Sequence, residues 1–277
     1  MDLDDDFFAR VGHDLRGELA TMLAGVHYLL RYEKRLEPGT RDMLERVRGA
    51  GERLRHLLDE FDHAVWLRVD PRRPMSIEPL DAAELAQSAA GRLEPAAAAR
   101  GVRLLLELPA GEQAAPVEGD AELLAVALDY VLGFAILRSR DQAVRIEVTA
   151  RDGAAAAVVT DEGGAPSPEA MAHLLEPFRE RDAIWPDPVV PRRRERLGLG
   201  LAIARGILEA HGGSLTVGVE PEGAAAAPAP MPLAHAPGGP APGGAAGDAG
   251  PPSRPTGGLR FTCTLGRPAG PGGHRPA

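Results

Sequence analysis

Leu197-Gly198-Leu199-Gly200-Leu201-Ala202-Ile203-Ala204 sets two glycines at the mouth of an apolar helix. Free N–H groups and the helix dipole at such a start favour a phosphate. Upstream, Val158-Val159-Thr160-Asp161-Glu162-Gly163-Gly164-Ala165 ends a strand on an aspartate followed by glycines. A buried carboxylate there can accept a hydrogen bond from the exocyclic amine of adenine, and glycine lets a backbone approach a ligand closely. Either stretch alone reads equally well as a turn or cap between elements. Around them the hydrophobic pattern predicts helices over 80–100, 122–137 and 198–210, and strands over 102–108, 144–150, 155–160, 214–220 and 259–265. That mixture predicts an α/β sandwich with helices on one face of a mixed sheet.

The first seventy residues follow a different rule. Apolar residues recur at Phe8, Val11, Leu15, Leu19, Met22, Val26 and Leu29, and again at Met43, Val47, Ala50, Leu54, Leu57, Phe61 and Val65. Steps of three and four sustained in this way predict two helices packed at a shallow angle. Between them, Glu37-Pro38-Gly39-Thr40 supplies a stop, a turn and a cap at Thr40. One such pair leaves a side of each apolar stripe wet, so a symmetric dimer forming a four-helix bundle is expected. His13 lies two positions from both Val11 and Leu15, about 200° around the helix from each, and so points away from the stripe. Asp14 beside it can hold the imidazole in the tautomer that leaves its other nitrogen nucleophilic.

Composition sets the outer limits. Gly 33 and Pro 26 in 277 residues exceed ordinary usage. The excess gathers in residues 221–258 and 266–277, which are expected to be a disordered insertion and a disordered tail. A net charge of −9 supplies no basic field for nucleic acid. The apolar runs fall short of the roughly 20 residues that span a bilayer, and the acidic start after Met1 has the wrong charge for a signal peptide. A single cysteine, Cys263, fits a reducing cytoplasm. The expected organisation is a hairpin over 1–70, a linker over 71–79 and the α/β domain over 80–265.

Phe7-Phe8-Ala9-Arg10-Val11-Gly12-His13-Asp14-Leu15-Arg16 resembles the phosphoacceptor box of sensor histidine kinases. The Asp161 and Gly198 stretches, with Glu176-Pro177-Phe178 between them and Glu209-Ala210-His211-Gly212-Gly213 after, resemble the same family's ATP-binding domain. The resemblance covers roughly residues 7–265. It implies a homodimer that handles phosphate at His13, with a response-regulator receiver domain as partner. It implies ATP as ligand of Asp161, Gly163, Gly198 and Gly200. In the intervening lid, Arg192, Arg193, Arg194 and Arg196 read equally as partners for the phosphates or as a solvated basic loop. With His13 so near Met1, input is expected through a partner such as an upstream sensor, or through the C-terminal half.

The chain departs from the family pattern in ways that bear on activity. Gly17 and Glu18 stand where the family has a polar residue and proline after the histidine box. The family's Mg²⁺-coordinating asparagine is replaced by Phe134, and its phosphate-contacting lysine by Leu137. The chain contains no asparagine at all, so no shift of register restores that ligand. Asp129 is turned about 140° away from that position on the helix, and Glu122 lies several turns back. A hard cation needs oxygen ligands, so Mg²⁺-dependent transfer is expected to be compromised and ATP-dependent autophosphorylation to be weak or lost. Three readings remain open: phosphotransfer through His13 without effective autophosphorylation, a fully active soluble histidine kinase, and a non-enzymatic dimeric scaffold or sink for a regulator.

Overall fold

A computed structural model describes residues 5–69, 75–109, 115–139, 142–151, 154–179, 198–220, 258–265 and 267–268. The chain opens with two long helices, α1 (Asp5–Tyr32) and α2 (Pro38–Val69), which pack side by side. The turn between them is closed by Glu33 N–H donating to Leu29 O and Arg41 N–H donating to Glu37 O. Helix α2 starts at Pro38, so Thr40 is not its cap but lies within the first turn. Proline suits that first turn because its missing N–H has no intrahelical partner to lose.

The heptad series divides between two faces. Leu19 and Leu23 are buried against α2. Val11, Leu15, Met22 and Leu29 on α1, and Met43, Val47 and Leu54 on α2, are exposed. These two exposed rows share the spacing of four, then seven.

The α/β part is built from two sheets and the helices that cover the larger one. Strands β1 (Ile77–Asp81) and β3 (Pro116–Asp120) pair antiparallel, with β8 (Arg267–Pro268) on the other edge of β3. The larger sheet has the order β2-β4-β5-β7-β6, from Arg103–Glu107, Ala143–Arg151, Ala154–Asp161, Gly258–Leu265 and Ser214–Glu220. Only β2 and β4 run parallel, so the sheet is mixed as expected. Val144, Ile146 and Val148 of β4 and Leu259, Phe261, Cys263 and Leu265 of β7 alternate inward. Against that face lie α3 (Ala82–Ala98), α4 (Ala121–Arg138) and α6 (Gly200–Ala210), with α4 between the other two. A short α5 (Pro168–Ala172) is capped by Ser167.

Several boundaries move from the sequence reading. Helix α3 begins at Ala82, because Asp81 caps it by accepting from Ala83 N–H at 2.8 Å. Leu80 and Asp81 belong to β1, which also takes three residues expected as linker. The periodicity signal missed β1, β3, β8 and α5, which are too short to establish a period. Gly258, expected in the insertion, starts β7, and Arg267 and Pro268, expected in the tail, form β8. Residues 221–257 lie outside the described residues, as do 269–277. Among the described residues, no helix is long and apolar enough to cross a membrane.

Helix α2 also reaches the α/β part. Leu67 packs over Gly206 of α6, and His63 Nδ1 lies 3.1 Å from Tyr130 Oη of α4, with the two rings edge to face. Burial pushes the His63 pKa below 6.5, with Asp59 pulling it up and Arg16 pushing it further down. The folded state therefore favours the neutral ring more than the unfolded chain does. The stability from this contact is complete above pH 6.5 and is lost as pH falls through the lowered folded value. Hydrogen exchange across residues 63–67 should quicken as pH is lowered from about 8 to about 5, after correction for intrinsic rates, and His63→Gln should remove most of that pH dependence.

Candidate functional site

Helix α1 carries His13 with its side chain 86% exposed. Its Nδ1 lies 3.3 Å from Asp14 Oδ1, which is 82% exposed. An Nδ1–H donated to Asp14 leaves the lone pair on Nε2, facing solvent. One turn along, Arg16 pairs with Asp62 and lies 3.6 Å from Asp59, both on α2. A Cβ added to Gly12 would stand 2.6 Å from Asp62 Oδ1, so glycine allows the helices to meet closely beside His13. Orientation away from the α1–α2 contact is thus what the sequence spacing predicted.

The second cluster lies where the end of β5 meets the end of α4. Asp161 is buried, 1% exposed. Its Oδ1 accepts from Gly163 N–H at 2.9 Å and Leu259 N–H at 3.3 Å, and its Oδ2 accepts from Arg138 Nε at 2.9 Å. Arg138 also donates through an Nη to Gly164 O, and its guanidinium lies 5.9 Å from the Phe134 ring centroid. The two charged side chains are 2% and 0% exposed. Burial is the largest influence on Asp161 and pushes its carboxyl above the usual range, while Arg138 and the two N–H groups pull it down. In such a site, removing one partner of the pair costs about 3–5 kcal/mol, because the other is left buried and uncompensated.

Phe134 is fully buried and stacks edge to face on Phe261, with centroids 5.6 Å apart. Gly163 answers a different need from the one its sequence suggested. A Cβ there would lie 2.8 Å from Arg138 O and 2.9 Å from Arg138 Cβ, so what approaches this glycine is the chain itself. Arg100 holds the same helix end from below, donating to Ile136 O and Leu137 O. Arg138 was not singled out in the sequence. The signal was present as a cation four residues after Phe134, on the same face of a helix whose last two turns, from Val131, are otherwise apolar.

The remaining site residues separate from this cluster. Gly198 takes φ 84, and α6 begins at Gly200, two residues later than the start the sequence suggested. Its cap residue, Leu199, makes no side-chain hydrogen bond to the helix start. Arg194 lies outside the described residues, as do Arg192, Arg193 and Arg196. Asp129 makes a two-pronged bond with Arg92 on α3 and plays no part here. His211, absent from the sequence expectations for the site, is buried and links two elements: Nε2 accepts from Asp120 N–H, and Nδ1 lies 2.7 Å from Ile207 O. Burial pushes the Cys263 thiol up to about 12, which leaves it unreactive.

Comparison with known proteins gives the class. Residues 119–269 match the family described as histidine kinase-, DNA gyrase B-, and HSP90-like ATPase. The sensor protein IrlS of Burkholderia pseudomallei is 30% identical over 217 residues, 78% of this chain and 44% of IrlS. The sensor histidine kinase MtrB of Mycobacterium leprae is 27% identical over 220 residues, 78% of this chain and 37% of MtrB. The chain thus spans less than half the length of these curated relatives. Full-length ShkA, solved in complex with AMPPNP, shares the fold with a TM-score of 0.64 at 20% identity, covering 95% of this chain and 46% of ShkA. The histidine kinase AdeS of Acinetobacter baumannii shares it at 0.52 and 15% identity, covering 92% of this chain and 98% of that one. The chain belongs to the sensor histidine kinase family.

That family implies ATP and Mg²⁺, and the residues present fit only part of the pair. The glycine-opened start of α6 suits a phosphate. At the base end, Asp161 is committed to Arg138. At the position where the family resemblance puts the metal ligand, Phe134 offers no oxygen to a hard cation, and its ring is packed into the core on Phe261. Restoring an amide by Phe134→Asn should therefore fail. It would remove the ring packed on Phe261 and bury an unpartnered amide, lowering stability by about 3–5 kcal/mol without adding Mg²⁺-dependent labelling from ATP. Thermal unfolding and incubation with labelled ATP check both parts.

Proposed function

We propose that this chain is a two-component signalling protein in which His13 carries a phosphoryl group to or from a response-regulator aspartate, while its own ATP-dependent autophosphorylation is weak or lost. The observation that carries this reading is the contrast between its two sites. His13 stands open to solvent with Asp14 at its Nδ1, while Asp161 is sealed against Arg138. In this reading residues 1–70 are the dimerisation and phosphotransfer hairpin, and 80–265 are the ATP-binding-type domain. We place the reaction in the cytoplasm.

Transfer at His13 needs little from the protein beyond position. The Nε2 lone pair attacks the phosphorus of the aspartyl phosphate, a P–N bond forms as the P–O bond to the carboxylate breaks, and the regulator's aspartate leaves with the electron pair. Asp14 holds the Nδ1 proton and stabilises the imidazolium that develops. A receiver domain phosphorylated by acetyl phosphate should lose label to the wild-type chain, and His13→Ala should abolish that transfer. Asp14→Asn should slow it by about tenfold. Equal loss of label with His13→Ala would leave the scaffold reading in its place.

The same reading has a second copy of the chain covering the exposed rows on α1 and α2. Their matched spacing of four then seven suits the repeating contacts of a symmetric helical bundle. Met22 is 64% exposed and Met43 is 67% exposed. Sedimentation equilibrium should give a dimer for the wild type. Met22→Glu should shift it to monomer with the α/β part still melting cooperatively.

A further inference from the structure

The Arg138–Asp161 pair makes a specific statement about the nucleotide site. A carboxylate that is to read adenine must offer a lone pair to the exocyclic amine of a base arriving from solvent. Here the Asp161 side chain is fully covered, and Arg138 Nε–H already sits on Oδ2 at 2.9 Å. The guanidinium is planar and presents a fork of N–H donors. It thus brings to the carboxylate the same kind of donor an amino-purine would bring. Its second prong bonds Gly164 O, and the Phe134 ring lies against it. Gly163 is shaped to admit the Arg138 backbone, and Arg100 ties down the carbonyls just before it. Five residues, from β5, the loop after it, α4 itself and the turn after α3, therefore bear on where this one side chain sits.

We propose that Arg138 is a built-in occupant of the base-reading end of this nucleotide site. Its guanidinium takes the place of the adenine amine at Asp161, which keeps adenine nucleotides out and holds the domain in its folded shape without one. The Mg²⁺ defect at Phe134 is a separate lesion. Arg138 acts on the base, whereas the metal acts on the phosphates. The proposal deepens the reading of weak autophosphorylation, and it stands or falls independently of phosphate transfer at His13.

The experiment measures ADP and GDP binding by calorimetry with EDTA present, so that the missing metal ligand plays no part. The intact wild-type chain should bind neither nucleotide at concentrations up to about 1 mM. Arg138→Ala, which frees the carboxylate, should bind ADP at least about tenfold more tightly than the wild type and prefer it to GDP. A guanine offers a carbonyl oxygen where adenine offers the amine, and so is repelled by Asp161. The gain should disappear in the Arg138→Ala/Asp161→Asn double variant. Arg138→Gln, which keeps a neutral donor, should fall between wild type and alanine, and serves if the alanine variant does not fold. On the wild type itself, the Arg138 Nε–H resonance should exchange slowly with water and stay unmoved by ADP. Tight ADP binding by the wild type would overturn the proposal. So would a folded Arg138 variant with no gain, or an Arg138 Nε–H that exchanges freely.

Discussion

A carboxylate at the end of a central strand, sealed from water, must find its partners within the protein or give up its charge. Asp161 finds them in Arg138 and in the N–H groups of Gly163 and Leu259, which belong to the end of α4, the loop after β5 and the start of β7. Satisfying this one group therefore fixes where three elements end relative to one another. Phe134 and Phe261 pack beside it from the same helix and strand, so the apolar and ionic constraints agree. The close contacts at Gly163 and at the Arg100-capped helix end follow from that arrangement.

The helical pair is joined to this centre through side chains rather than through the backbone alone. Arg16, one turn after His13, pairs with Asp59 and Asp62, and His63 follows directly on α2. His63 meets Tyr130 two turns before Arg138 on α4. The His13 face and the Arg138–Asp161 pair are thus linked through α2, the His63–Tyr130 contact and two turns of α4. Opposite chemistry sits at the two sites: an imidazole presented to solvent and a carboxylate withheld from it.

Much of this was legible from residue order. Long periodic segments announced α1 and α2, and alternation announced β4, because many residues repeat one rule there. Two-face ambiguity limited the helical pair, since a heptad row signals an apolar contact without saying whether the neighbour is the other helix or a second chain. Leu19 turned out to face α2, while Leu15 and Met22 turned outward. The short strands β1, β3 and β8 gave no period, and their pairing depends on residues separated by up to about half the chain.

The order of residues was enough to point to the family, to the outward direction of His13 and to a chain without a single asparagine, since each depends on identity and spacing along one segment. Tertiary structure alone decided what became of Asp161. Its partner Arg138 is 23 residues away, on a different element. Nothing in the Asp161-to-Ala165 stretch distinguishes a carboxylate waiting for a ligand from one already occupied. A buried charge is defined by what surrounds it in space, and that surrounding is assembled only when α4 packs across the sheet.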